Sequence, residues 1–321
     1  MNYGKYITIV AISFISAVLL AVVLIPILRK IKFGQTVRDD GPKTHLKKMG
    51  VPTMGGMIFL IPIAIISALN SFQNSYIVPL LICTIGFGLV GFADDYIKVV
   101  KKRKDGLYAN QKTLFQIIVA TVFAFYVVNC GIIDNVIHLP GFDIAVPYGV
   151  LIGFIVLLLY ATTNAVNLTD GVDGLLTSIS IIVMMSFIAL SLGNPDFEYI
   201  RLFCLAAVGA LAGYLVFNKY PASVFMGDLG SLALGGAIGG ITIMLKSPVI
   251  LLFFGIIFIA EALSVIIQVT SFRFRGKRVF KMSPIHHHFE LSGWKETKVV
   301  TVFSIVTLIF CLAGILVYRL M

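Results

Sequence analysis

The sequence predicts an all-α protein that crosses a membrane several times, and three observations lead to this fold class. Of its 321 residues, 59% are hydrophobic and only 12% are charged, about half the charged share that is usual in soluble domains. The mean hydropathy is +0.99. The hydrophobic residues form long continuous runs, without the alternation typical of strands in a membrane barrel. The composition therefore excludes a soluble globular protein and an intrinsically disordered chain.

About ten of these runs are long enough to cross the hydrocarbon core as helices, which takes about 20 residues. The first run is longer than the roughly 7–15 residues of a signal-peptide core, so we interpret it as a retained span. We find no internal repeat and no low-complexity tract, and we expect a single integral domain over residues 1–321. The predicted spans are Ile7–Leu28, Thr53–Leu69, Ile77–Val99, Leu114–Cys130, Tyr148–Asn164, Leu175–Leu192, Leu202–Phe217, Ser231–Leu245, Val249–Phe272 and Val299–Tyr318.

The connections between these spans alternate in charge. Five of them together hold 21 of the 25 lysine and arginine residues: Arg29–Gly50, Lys98–Lys112, Asn167–Gly174, Asn218–Asp228 and Arg273–Lys298. Because basic connections stay on the cytoplasmic side, we predict that these five are cytoplasmic and that both termini are extracytoplasmic. On the opposite side, Gly131–Pro147 contains a Pro-Gly pair between short β-prone stretches, and we expect a small hairpin there.

A pair of aspartates ends the third predicted span, where Asp94 and Asp95 are adjacent. Neighbouring carboxylates repel each other unless a cation or a proton lies between them. Mg²⁺ is commonly held by one or two carboxylates together with substrate phosphates. Lys98 follows Asp94 by four residues and so shares its helix face. The motif indicates a metal site, and the alternative is a solvated helix terminus.

Two further acidic motifs combine aspartates with glycines. Asn167, Asp170 and Asp173 lie in one connection in which each aspartate precedes a glycine, and glycine permits tight backbone near a ligand. The alternative here is a helix–turn–helix connection capped by Asn and Asp side chains. Asp228 opens the eighth predicted span, three residues after Phe225. It is either a helix N-cap or a metal ligand.

Three consecutive histidines, His286–His288, follow the ninth predicted span. They point in different directions on any regular backbone, and no cysteine or second histidine pair accompanies them, which disfavours zinc. We interpret them as hydrogen-bonding or proton-transfer groups at a phosphate or nucleobase. A basic turn, His45–Gly56, suits an anionic group. Glu261, inside the ninth span, is a functional candidate by its depth, or it fixes a kink or pairs with a neighbouring helix.

Together these motifs resemble the polyprenyl-phosphate N-acetylhexosamine-1-phosphate transferase superfamily over essentially the whole chain. Pro52–Gly56 and Pro284–Glu290 favour its muramoyl-pentapeptide branch over initiators of teichoic-acid or O-antigen synthesis. One departure is Val51, where the family usually has Thr. The motifs that carry the resemblance are His45–Gly56, Phe92–Tyr96, Asn167–Gly174, Phe225–Ser231 and Pro284–Glu290.

The resemblance implies a reaction in the bacterial cytoplasmic membrane. Phospho-N-acetylmuramoyl-pentapeptide would pass from its UDP conjugate to undecaprenyl phosphate, giving lipid I and UMP on the cytoplasmic face. Mg²⁺ would be the cofactor, and the absence of a G-x-x-x-x-G-K-[ST] motif agrees with a reaction that needs no ATP.

The resemblance also assigns roles to individual residues. Asp228 and Asp95 would hold Mg²⁺, and Asp94 would either deprotonate and position the lipid phosphate or attack the pyrophosphate itself. Asn218 and Phe225 would contact uridine. The remaining positions are Lys48, Asp170 and Asp173 at the nucleotide, Lys98, Lys112 and Asn167 as further substrate-binding residues, and His286, His287 and His288 over the phosphates.

Two other functions remain open at this point. A sister transferase that uses UDP-N-acetylglucosamine would share most of these motifs. A membrane transporter also has acids within its spans, but here the acids gather on one face and only Glu261 lies at depth. We expect membrane lipid as a partner and no nucleic acid, and we leave a homodimer and the peptide-stem preference open.

Overall fold

The computed structural model describes residues 3–31, 50–101, 103, 106–139 and 141–320. Within them the chain forms twelve α-helices, one β-hairpin and a short 3-10 turn at Pro195–Phe197. The elements are α1 (Tyr3–Lys30), α2 (Gly56–Ser71), α3 (Ile77–Val100), α4 (Ala109–Asn129), β1 (Val136–Leu139), β2 (Phe142–Ala145), α5 (Tyr148–Leu168), α6 (Leu175–Ser191), α7 (Glu198–Asn218), α8 (Gly227–Met244), α9 (Ile250–Phe254), α10 (Ile256–Arg275), α11 (Ile285–Glu290) and α12 (Glu296–Leu320).

Eight of these helices are long and apolar enough to cross a membrane, namely α1, α3, α4, α5, α7 with its preceding turn, α8, α10 and α12. The shorter apolar helices α2 and α6 coincide with two other predicted spans. The prediction of an all-α, multi-pass membrane protein is therefore confirmed, whereas the count of ten spans and the side of the termini stay predictions. The expected hairpin is also confirmed, since β1 and β2 pair antiparallel.

The predicted ninth span differs from the structure because the chain there is not one continuous helix. It is divided into α9 and α10 at Gly255. Gly255 ends α9 through a hydrogen bond from its N–H to the Leu251 carbonyl, and its own carbonyl accepts from Ile259 in α10. Glycine is a common residue at sharp helix bends. The helix that contains Glu261 thus begins just after this interruption.

Helix α8 is the most buried of the candidate spans, and its backbone lies unusually close to α3 and α5. A Cβ atom built on Gly235 would lie 2.5 Å from the Thr163 Cα in α5. A Cβ built on Gly91 of α3 would lie 2.1 Å from the Asp228 carbonyl oxygen. Small residues permit such contacts between membrane helices, and here they bring the first turn of α8 directly against the last turns of α3.

Candidate active site

Three carboxylates meet where the end of α3 contacts the beginning of α8. Asp94 and Asp95 are buried in the last two turns of α3, and Asp228 is half-buried in the first turn of α8. One carboxylate oxygen from each lies within 4.8 Å of the other two. An arrangement of this kind can hold a metal ion.

Asp228 is the residue that joins four helices at this point. Its Oδ2 atom accepts hydrogen bonds from the Lys98 ammonium of α3 at 2.7 Å and the Lys112 ammonium of α4 at 2.9 Å. Its Oδ1 atom accepts from the Asn167 amide of α5 at 2.8 Å. The N-cap position of α8 is Met226, without a side-chain cap. The N-cap alternative for Asp228 is therefore wrong, because its carboxylate faces the neighbouring helices instead.

Asp94 and Asp95 are adjacent in sequence, but their side chains have different partners. Asp94 Oδ1 accepts from the Leu107 backbone N–H at 2.9 Å, and Asp94 also forms an ion pair with Lys98. Asp95 Oδ2 accepts from the Leu229 backbone N–H at 3.0 Å, in the first turn of α8. Asp94 is thus fixed to the segment before α4, whereas Asp95 is fixed to the helix that carries Asp228.

The connection between α5 and α6 adds two more acidic side chains, Asp170 and Asp173. Burial, together with the negative charges of Asp228, Asp95 and Asp173, raises the pKa of Asp170 to about 8. Asp173 is buried, and its Oδ2 accepts from the Ala222 backbone N–H at 2.9 Å. The N-cap of α6 is Gly174, with no side-chain cap, so the capped-turn alternative is wrong. Such an accumulation of acids favours a bound cation or proton.

Asn218 is the last residue of α7, and Phe225 lies on the connection between α7 and α8. Asn218 is buried; its amide nitrogen donates to the Val224 carbonyl at 3.1 Å, and its amide oxygen accepts from the Thr177 hydroxyl at 2.7 Å. Phe225 is half-buried, and its backbone pairs with Pro52 and Gly55. Asn218 therefore holds the turn that presents Phe225, and contact of either residue with uridine stays a prediction.

The three histidines have three different environments. His286 is buried, with Nδ1 3.0 Å from the Glu261 Oε1 atom. His287 Nδ1 lies 2.8 Å from a carboxylate oxygen of Glu290, and His288 Nδ1 accepts from the Lys281 backbone N–H at 3.2 Å. The expectation that they point in different directions is confirmed.

The structure brings part of the predicted set of site residues together. Asp94, Asp95, Asp228, Lys98, Lys112 and Asn167 form one hydrogen-bonded and ion-paired cluster, and Asp170 is within electrostatic reach of it. Of the three histidines, His286 packs its ring on Gly171 in the α5–α6 connection. Lys48 lies outside the described residues, together with the rest of residues 45–49 of the basic turn.

The alternative that Glu261 pairs with a neighbouring helix is confirmed, but sequence reasoning missed the partner. Glu261 of α10 pairs with His286 of α11, although 25 positions separate them along the chain. The depth of Glu261 within an apolar segment was the only available signal, and it gave no partner.

Comparison with known proteins decides the family. A family model described as glycosyl transferase family 4 matches residues 77–246. Proteins named phospho-N-acetylmuramoyl-pentapeptide-transferase are similar over nearly the whole chain. The one from Acetivibrio thermocellus is 53% identical over 320 residues, which covers 99% of this chain and 97% of the relative. Those from Clostridium novyi and Staphylococcus carnosus are 48% and 50% identical, covering 96% and 95% of this chain and 95% and 96% of the relatives.

The chain belongs to the phospho-N-acetylmuramoyl-pentapeptide-transferase family. The resemblance inferred from the five motifs is thus confirmed. The family model begins where α3 begins and ends just after α8, so it includes all three carboxylates of the cluster and Phe225. The Glu261–His286 pair of this family member lies beyond that region but within the span shared with the relatives.

Proposed function

We infer that this chain transfers phospho-N-acetylmuramoyl-pentapeptide from UDP-N-acetylmuramoyl-pentapeptide to undecaprenyl phosphate, forming lipid I for peptidoglycan synthesis and releasing UMP. The observation that carries this inference is a sequence identity of 48–53%, over nearly the full length, with proteins named phospho-N-acetylmuramoyl-pentapeptide-transferase. The cluster of carboxylates and lysines within the matched region supplies groups suited to the chemistry of a diphosphate.

The reaction exchanges one phosphoanhydride for another. An oxygen of the lipid phosphate forms a bond to the β-phosphorus, while the bond from that phosphorus to the bridging oxygen breaks and its electron pair leaves with UMP. Because little covalent work is needed from the protein in phosphoryl transfer, catalysis depends on positioning and on neutralising charge. Both tasks suit a rigid cluster of helix-borne acids and lysines.

The donor set fits Mg²⁺, and we assign Asp228 and Asp95 as its ligands. Carboxylate oxygens are the hard donors that this ion prefers, and three of them lie within 4.8 Å of one another. Only two ammonium groups, those of Lys98 and Lys112, face the cluster among the described residues. Bound Mg²⁺ would neutralise charge on the diphosphate and on the departing UMP.

The two lysines are accessible enough to meet a substrate phosphate. Their side chains are 31% exposed for Lys98 and 20% for Lys112, in contrast to the buried Asp94 and Asp95. Both ammonium groups are held at Asp228 Oδ2, which places positive charge at the mouth of the acidic cluster. We assign them to the phosphates of the donor.

Asp94 is better suited to positioning the acceptor than to attacking the diphosphate. Its carboxylate is held by the Leu107 N–H and by Lys98, and both contacts draw electron density away from a nucleophile. Phosphate groups of this type have a second pKa of about 6, so the lipid phosphate is largely ionised without help from a base. We therefore favour direct attack by the lipid, with Asp94 and Lys98 fixing the geometry.

The nucleotide end of the donor is assigned to the α5–α6 and α7–α8 connections. Phe225 offers an aromatic surface on a turn fixed by Asn218, and Asp173 of the other connection accepts from the Ala222 N–H of the same turn. All these residues lie in the set of five connections that holds most of the lysines and arginines, which we place in the cytoplasm. A soluble UDP-sugar and a membrane-bound lipid meet at such a face.

The test is a turnover assay with purified full-length protein, Mg²⁺ and undecaprenyl phosphate. UDP-N-acetylmuramoyl-pentapeptide and UDP-N-acetylglucosamine are offered in separate reactions, and UMP and the lipid-linked product are measured. We expect UMP and lipid product only with the muramoyl substrate. Product with UDP-N-acetylglucosamine alone would favour the sister transferase, and no release of UMP from either would contradict a transferase.

A further inference from the structure

A buried carboxylate and a buried imidazole face each other between α10 and α11. The side chains of Glu261 and His286 are both 0% exposed. Glu261 Oε1 lies 3.0 Å from the Nδ1 atom of His286, and Glu261 Oε2 lies 3.4 Å from the backbone N–H of the same residue. One carboxylate therefore meets two nitrogen atoms of a single histidine and restrains both its ring and its backbone.

The other ring nitrogen of this histidine is directed at the candidate active site. His286 Nε2 is buried and has no hydrogen-bond partner among the described residues. It packs on Gly171, where a Cβ atom would lie 2.1 Å from it. Gly171 stands between Asp170 and Asp173 in the connection assigned to the nucleotide. A buried polar atom without a partner is destabilising, and it calls for a functional explanation when it faces a site.

We propose that Glu261 is a positioning residue for the transferase reaction, which holds the His286 proton on Nδ1 and leaves the Nε2 lone pair for the bound donor substrate. Nε2 then accepts a hydrogen bond or proton from a hydroxyl or N–H group of that substrate. The proposal rests on the proposed function. A neutral imidazole carries one N–H, and the partner of one nitrogen decides which form is present.

The Glu261→Gln variant tests this proposal sharply because it changes the tautomer without changing the volume. Both Glu261 oxygens face nitrogen atoms of His286. A glutamine has only one acceptor oxygen, and the backbone N–H cannot give up its proton. The amide NH₂ group therefore turns to Nδ1, which must then be unprotonated, and the ring proton moves to Nε2.

The first measurement is turnover of the full-length protein with the UDP-substrate and undecaprenyl phosphate. We expect Glu261→Gln to lower kcat by at least ~100-fold with a smaller change in KM, since an inverted tautomer in a catalytic triad costs on the order of 10⁴-fold. The matched control is Ser264→Ala, one turn along α10, which removes a buried hydroxyl that donates to the Glu261 carbonyl. The control should keep near-normal turnover. Equal losses in both variants would overturn the proposal.

A second variant separates positioning from simple structural support. His286→Asn keeps a donor near the position of Nδ1 and can retain the link to Glu261, but it has no Nε2 atom. We expect it to remain folded by thermal unfolding and to lose turnover to a similar extent. If His286→Asn retains near-normal turnover, the pair only connects α10 to α11 and the proposal is overturned.

A third readout does not depend on activity. ¹⁵N NMR of histidine-labelled protein should show His286 protonated at Nδ1 in the wild type and at Nε2 in Glu261→Gln. The same tautomer in both proteins would overturn the proposal. If the wild type makes no lipid-linked product, the proposed function fails, and the NMR comparison still decides the role of Glu261.

Discussion

Replacing Asp228 by asparagine removes one charge from the residue that joins α3, α4, α5 and α8, and leaves its size unchanged. In the wild type, Oδ2 accepts from Lys98 and Lys112, and Oδ1 accepts from Asn167. An asparagine side chain has one acceptor and one donor. If its oxygen turns to the lysines, its NH₂ group faces the Asn167 amide, which still has the Ser231 hydroxyl as a partner.

The structure indicates a small loss of stability and a large loss of activity. One lost and two weakened hydrogen bonds to the carboxylate correspond to roughly 1–3 kcal/mol. Removing a negative charge also relieves repulsion among the acids, which offsets part of this. The same change should lower the raised pKa of Asp170, since Asp228 is one of its causes. Loss of a metal ligand and charged contact should reduce turnover by at least ~100-fold.

The assay for Asp228→Asn is turnover over a series of Mg²⁺ concentrations, alongside thermal unfolding of the same preparation. We expect a folded protein with the reduced turnover at every Mg²⁺ concentration. A folded variant with near-normal turnover at saturating Mg²⁺ would refute the assignment of Asp228 as a metal ligand. An unfolded variant would refute the argument that relief of repulsion offsets the lost hydrogen bonds.

Three further predictions concern the other parts of the site. Phe225→Ala should weaken UMP binding by about 1–3 kcal/mol if the ring stacks on uracil, and Phe225→Trp should retain much of it; calorimetry showing unchanged affinity with lower thermal stability would indicate packing instead. For Asp94, direct attack predicts no UMP release without the lipid acceptor, and a stoichiometric burst that disappears in Asp94→Asn, with co-purified lipid excluded, would contradict it. For Asp170, the pKa raised to about 8 means that the folded state favours the protonated side chain. The contribution of Asp170 to the free energy of unfolding is therefore full below pH ~4 and is lost as pH rises through about 8. Asp170→Asn should therefore gain thermal stability relative to the wild type between these values, and a constant difference would argue against the raised pKa.

Much of the fold could be predicted from the sequence because each membrane span leaves a continuous hydrophobic run. The acidic cluster was predictable for a related reason. Asp94, Asp95 and Asp228 stand at the ends of such runs, and the alternating charge of the connections places those ends on one face. The interruption at Gly255 was not predictable, since one glycine in an apolar helix is usually tolerated in membrane spans.

The partners of individual side chains were the part that sequence could not give. The resemblance predicts that Asn218 contacts uridine, but in the structure both ends of its amide bind within the protein, to Val224 and Thr177. The pairing of Glu261 with His286 depends on how α11 folds back onto α10. Contacts of this kind arise from helix packing, which leaves no fixed spacing along the chain.

The close approach of Gly91 to the Asp228 carbonyl has a consequence for the metal site that we propose. Two main chains that already touch cannot approach further, and the surrounding buried helix α8 resists their separation. The backbones that carry Asp95 and Asp228, the metal ligands that we propose, are therefore already at their closest approach. Ca²⁺ needs six to eight oxygen ligands at about 2.3–2.6 Å, whereas Mg²⁺ accepts a compact octahedron at about 2.0–2.1 Å. If Asp95 and Asp228 hold the ion as we propose, this close packing favours the smaller Mg²⁺ ion, and a bulkier residue at position 91 would push the helices apart and weaken that preference.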